Sequence, residues 1–321
     1  MPRLFTSLRS PVQTQSHVAE SEPQTPRSDY RRHAQTAQTH TENKAYDRAV
    51  LAWQQALVAD ADRPEGHLSL GTSLRQLGRL AEAETAVREA IRLDPEIAGA
   101  YSVLSGILAE QDRYDAAIEA ANVAIAQDAN NADAYATLSF ALARQGKFDE
   151  AIAAAKQALS LDANLSTAYN AWGIALANQG ELVAAQRKYE QALALDPEGA
   201  AIHHNLGLLL TQTKTYESAI ASFEKSLELN PFPARTHSAL AWALLKMERF
   251  EEAILSYQEA TYLAPEDAQI HFDFGVALYQ MKRHGEALTV LETARDLAIA
   301  QDQPELLANI EATLAILANN P

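Results

Sequence analysis

The sequence predicts an all-α solenoid of eight helix-turn-helix repeats closed by one further helix. Three observations predict it. An alanine recurs every 34 residues without a gap, at Ala49, Ala83, Ala117, Ala151, Ala185, Ala219, Ala253 and Ala287. Seven residues after each stands a small residue: Ala56, Ala90, Ala124, Ala158, Ala192, Ser226, Ala260 and Ala294. Nine residues before the last seven stands a leucine, running from Leu74 to Leu278. Length alone would suggest about two globular domains, but a period this strict marks one structural unit stacked on its own copies.

Residues 1–29 stand apart. They hold four of the twelve prolines and eight Ser or Thr, and Arg3, Arg9 and Arg27 cancel Glu20, Glu22 and Asp29. Such a segment buries too little apolar surface to offset its ordering entropy, so a disordered tail is expected. Arg and Ser without acids in the first nineteen residues is also the composition of an organelle transit peptide, whereas no apolar secretory core is present. The expectation adopted is a plain tail.

The repeats follow as residues 30–63, 64–97, 98–131, 132–165, 166–199, 200–233, 234–267 and 268–301. In the fifth, Tyr169, Trp172, Gly173 and Leu176 fall on one face of a helix from Thr167 to Asn178. Gly180 breaks that helix, and Glu181 opens a second one with a carboxylate near its positive end. Ala185, Tyr189 and Ala192 share one face of the second helix, and Asp196-Pro197 ends the unit. The same punctuation recurs at Asp94-Pro95, Asn230-Pro231 and Ala264-Pro265. Helices about 8–10 Å apart at their crossing leave room only for small side chains, which accounts for the alanine ladder and Gly173. A bulky residue there should cost on the order of 1–3 kcal/mol. After the last repeat, Leu306, Leu307, Ile310, Leu314 and Leu317 sit at helical spacing, so residues 302–321 are read as a capping helix.

An aromatic, then Leu-Gly, then Tyr, then Ala, Phe, Ala and Pro is the signature that the pattern over residues 30–301 resembles, that of the tetratricopeptide repeat family. Leucine replaces the family's first tyrosine in seven units, and Ala61, Ala129, Ala163 and Ile299 replace its proline. The first unit departs most, carrying His33, Thr36 and His40 where apolar residues belong, as a polar terminal cap would. The resemblance implies a right-handed superhelix that holds protein partners. Some alanine-rich members assist the assembly of membrane or photosynthetic complexes.

Positions four, seven, eight and eleven of each first helix are the buried ones, while two, five, nine and twelve point roughly 130° away. By resemblance to the family, that second face lines a concave groove. Its ninth position reads Gln38, Thr72, Gly106, Phe140, Ile174, Leu208, Trp242 and Val276, so large apolar residues occupy the last five units. A solvated face gives no reason for that run, and an exposed apolar stripe marks a binding surface. The candidate groove residues are therefore Phe140, Asn170, Ile174, His204, Leu208, Trp242, Leu245, Phe272, Val276 and Tyr279. An amphipathic helix or extended peptide is the expected occupant. The competing expectation is that the superhelix bends enough to cover these residues itself, or that they pack on the tail.

Two binding modes implied by the family fit poorly. No Lys–Asn pair stands at the fifth and ninth positions to grip a C-terminal carboxylate. The sixth position reads Gln35, Ser69, Val103, Thr137, Ala171, Asn205, Ala239 and Asp273, which is no asparagine ladder of the sugar-transferase kind. His33, His67, His203, His237 and His271 occupy the family's aromatic fourth position, shared with Tyr101, Tyr135 and Tyr169. Repeats about 8–10 Å apart keep such histidines from sharing a zinc ion, so neither metal nor cofactor is expected. Asp149-Glu150 and Glu251-Glu252 open second helices, where negative charge is favourable. No phosphate loop or nucleophile motif appears.

The net charge of −16 argues against nucleic acid as a partner. No run of 18 apolar residues predicts a membrane span. The absence of cysteine fits a reducing compartment, and cytoplasmic localisation is the expectation. The reading is a non-enzymatic scaffold, adaptor or assembly factor with its partner in the groove of repeats four to eight. The alternative is a regulatory subunit of an enzyme or membrane-complex assembly that docks through an acidic convex face.

Overall fold

A computed structural model describes residues 25–97, 99–230 and 233–319. Among them every regular element is a helix, and no helix is long and apolar enough to cross a membrane. The helices pair as helix-turn-helix repeats of a solenoid, in two compact units, Met1–Pro95 and Glu96–Pro321.

The first unit holds α1 (Pro26–Glu42), α2 (Tyr46–Ala59), α3 (Pro64–Gln76) and α4 (Leu80–Leu93). Helix α1 starts four residues before the boundary expected at residue 30. Thr25 and Ser28 explain the early start, because each side chain accepts a hydrogen bond from the other's backbone N–H, at 3.2 and 2.8 Å. This capping box and Pro26 in the first turn satisfy the helix start locally. The expected disordered tail is thus too long by residues 26–29, and its residues 1–24 lie outside the described residues. Ala37 is the one buried residue of α1, which leaves a polar helix at this end of the stack.

The second unit holds α5 (Ala100–Glu110), α6 (Tyr114–Gln127), α7 (Ala132–Arg144), α8 (Phe148–Leu161), α9 (Ser166–Asn178), α10 (Leu182–Leu195), α11 (Ala200–Gln212), α12 (Tyr216–Leu229), α13 (Ala234–Lys246), α14 (Phe250–Leu263), α15 (Ala268–Gln280), α16 (His284–Ala300) and α17 (Pro304–Asn319). Each odd-numbered helix from α5 to α15 packs on its even successor, and consecutive odd helices such as α7 and α9, or α13 and α15, also touch. Helix α17 packs on α16 and α15, where Ile310 and Leu317 are buried.

All eight alanines of the ladder have no exposed surface. Their helices approach so closely that side-chain volume is shared across each pair. A methyl group at Gly207 would lie 2.6 Å from the Phe223 ring, and one at Gly173 would lie 2.6 Å from the Tyr189 ring. In these two repeats the first helix gives up its own side chain to the ring on the second, as Gly71 and Gly275 do to Val87 and Leu291.

The turns inside the repeats keep the same beat. Lys44, Gly78, Asp112, Gly146, Gly180, Lys214, Glu248 and Lys282 all have positive φ, from 56° to 85°. In the sixth repeat the Lys214 N–H donates to Thr211 O at 3.0 Å and the Thr215 N–H to Leu210 O at 2.8 Å. This closes the helix end in the manner of a Schellman turn. The entry to the first helix is tied down by the fourth-position histidines. Nε2 of His67, His203 and His271 lies 2.8–3.0 Å from the carbonyl oxygen six residues earlier, at Ala61, Pro197 and Pro265. A carbonyl can only accept, so each ring donates from Nε2 and staples its helix to the preceding loop.

Candidate partner-binding groove

First helices α9, α11, α13 and α15 turn their fifth and ninth positions, and α7 its ninth, toward two adjoining cavities of the second unit. The smaller, about 480 Å³, is lined by Phe140, Asn170, Ile174, His204 and Leu208, together with Asp112, Tyr114, Arg144 and Asn205. The larger, about 780 Å³, is lined by His204, Leu208, Trp242, Phe272 and Val276, together with Arg144, Arg235, Tyr257, Asp267 and Asp273. Arg144, His204 and Leu208 line both and form the seam. Leu208 is 44% exposed at that seam. Phe140, Trp242, Phe272 and Val276 are half-buried and Ile174 is buried.

Eight of the ten residues expected in the groove line one cavity or both. Leu245 and Tyr279 line neither. Leu245 is buried in the core with Leu210, Leu244 and Leu278, and Tyr279 packs against that core with its ring edge-on to His284 at 5.4 Å. Both stand at the twelfth position. The same position lines the cavities at Ala177 and Thr211, so it turns inward in the fifth and sixth repeats and packs into the core in the last two.

Polar contacts hold the apolar wall in place. The Phe140 ring meets Tyr114 edge-on at 6.3 Å, and Arg144 Nε donates to the Tyr114 hydroxyl at 2.9 Å. The Tyr114 hydroxyl also reaches the Asp112 carboxylate. Asn205 Nδ2 donates to Asn170 Oδ1 at 2.9 Å, which links α11 to α9. Lys246 Nζ sits 4.0 Å from the centre of the Trp242 ring.

Electrostatics were the part that a hydrophobic stripe did not reveal. Arg235 lies 3.8 Å from Asp112 and 3.8 Å from Asp267, joining the α5–α6 turn to the first turns of α13 and α15. Burial, reinforced by Arg235 and then Arg144, pushes His204 down to about 4, so its ring is neutral at physiological pH. His204 Nδ1 is 2.9 Å from the Thr236 hydroxyl. Burial raises Asp273 to about 6 although Gln269 Nε2, at 2.9 Å, and the Ser238 hydroxyl donate to it. Arg144 ends its helix and Arg235 starts one, so the ninth-position pattern passes over both. Asp273 was visible as the one acid in the sixth-position column.

Comparison with known proteins agrees with this architecture. Family models described as tetratricopeptide repeat match residues 68–132, 170–232 and 238–304, and a second such model matches residues 132–165. No curated protein matches the chain in sequence. Among solved structures, a chain of the APC/C hetero-tetramer Cut9–Hcn1 superposes with a TM-score of 0.69 at 20% identity, over 85% of this chain and 54% of that one. This chain therefore spans about half the length of that relative. A tetratricopeptide repeat protein of Parabacteroides merdae superposes with a TM-score of 0.58 at 14% identity, over 78% of this chain and 99% of its own. One from Thermus thermophilus gives 0.51 at 26% identity, over 57% of this chain and 99% of its own. With its models covering well over half the sequence, the chain belongs to the tetratricopeptide repeat family, whose members generally mediate protein–protein interactions.

Proposed function

We propose that the protein is a non-catalytic adaptor or assembly factor that holds an apolar partner segment along the inner faces of α7, α9, α11, α13 and α15. The observation that carries this reading is the pair of adjoining cavities, with Phe140, Leu208, Trp242, Phe272 and Val276 accessible along their length. Large apolar side chains kept at the surface of a well-packed repeat cost solubility and add nothing to the fold, so a partner is their natural cover. A cavity of about 780 Å³ has room for several side chains of an inserted segment.

The test is crosslinking from the native cell followed by mass spectrometry, repeated with Trp242→Ala and Phe140→Ala. Partner capture should fall by about tenfold or more, as expected for truncation of aromatic anchors. Unchanged capture by variants with intact helicity overturns the reading. Charge reversal at Glu251 and Glu259, exposed on the second helix α14, should leave groove binding unaltered. Loss of capture there would point instead to docking on the acidic outer face.

A further inference from the structure

Asp273 carries a desolvation cost that no described residue's positive charge offsets. It lies in the wall of the larger cavity, and among the described residues no cation comes within ion-pair distance of it. The neighbouring cations are engaged elsewhere: Arg235 between Asp112 and Asp267, Arg144 on Tyr114, and Lys246 over Trp242. His204, in the same cavity, is neutral. Two neutral hydrogen bonds, from Gln269 and Ser238, offset part of the carboxylate's lost hydration but supply no counter-charge.

A second polar group points the same way. Tyr257, on α14, has no exposed surface, and its hydroxyl is buried without a hydrogen-bond partner. It lines the same cavity and feels the Asp273 carboxylate. A fully buried hydroxyl left unpaired bears its whole desolvation penalty unless something reaches it. The Trp242 and Phe272 rings and Val276 line the same cavity, so an apolar collar and a polar floor share one space.

We infer that this floor is a recognition pocket for a basic side chain, lysine or arginine, carried by the partner segment between apolar residues. The collar packs the aliphatic stem, the Asp273 carboxylate faces the cation, and the Tyr257 hydroxyl accepts a second hydrogen bond from it. The inference rests on the groove reading above and adds the chemistry of one anchor. Charge favours a cation: with Asp112 and Asp267 both turned on Arg235, Asp273 is the carboxylate left without a partner charge.

The test is selection of a random peptide display library on the full chain, followed by fluorescence polarisation of the enriched peptides. They should share a Lys or Arg flanked by large apolar residues. Asp273→Asn, which keeps the side chain's shape, should weaken them about tenfold or more. On that variant, changing the peptide's basic residue to norleucine should have little further effect. Trp242→Ala serves as the control for the groove itself. Peptides sensitive to Trp242→Ala that lack a basic residue, carry an acid instead, or ignore Asp273→Asn overturn the pocket and leave the groove standing. A library with no binder sensitive to Trp242→Ala overturns both.

Discussion

Asp273 and His204 face one cavity with shifts that oppose each other in pH. The native carboxyl of Asp273 is raised to about 6, above an unfolded value of roughly 3.9. Its burial therefore costs most above pH 6, and the cost fades as pH falls toward 4. His204 is lowered to about 4, below an unfolded value of roughly 6.5, so stability is lost as pH falls from 6.5 toward 4. Across the same window one group gains what the other loses. Asp273→Asn removes one side of that balance. Near neutral pH it should stabilise the chain by on the order of 1–2 kcal/mol, with the gain vanishing near pH 4. Urea titrations of both proteins across that range check it, and a gain independent of pH would contradict the assignment.

At the level of the element, the turn between paired helices sets the repeat. Eight turns place one residue in the left-handed region, yet glycine fills only three of these positions, Gly78, Gly146 and Gly180. Lys214, at φ 62°, makes its turn bonds through the backbone. Lys214→Gly should relieve its strain and stabilise the protein by about 0.5–1 kcal/mol, read as a higher midpoint in denaturant. An unchanged midpoint would mean that the unfolded-state entropy of the new glycine cancels the relief. Much of this layer was legible. The alanine ladder, the Pro-terminated units and the ninth-position stripe located the helices and eight of the ten cavity-lining candidates, because each is a local pattern repeated along the chain. Leu245 departed from the pattern because it packs into a core built from several helices, which a periodicity along one helix does not register. Asp112 and Arg235 escaped it for the same reason: they meet across more than three repeats.

In the whole molecule, stability is spread along the chain as neighbour contacts, so parts of it stand alone more readily than parts of a globule. All of the groove lies in the unit Glu96–Pro321. A fragment of residues 96–321 should retain its helical content and bind any groove-selected peptide as the full chain does. Circular dichroism and the same polarisation assay decide this, and a fragment that is helical but binds nothing would place essential contacts in the first unit. Entry into the groove is a separate matter from residence there. The pairing of Arg235 with Asp112 and Asp267 joins residues that line the two cavities. Under the proposed groove reading, a partner segment entering between these walls meets that pairing first. The Arg235–Asp112 pair is exposed on both sides and is screened by salt, while Asp267 is part-buried. On that reading, added salt should therefore change the rate at which a partner segment enters more than the tightness with which its apolar residues are held.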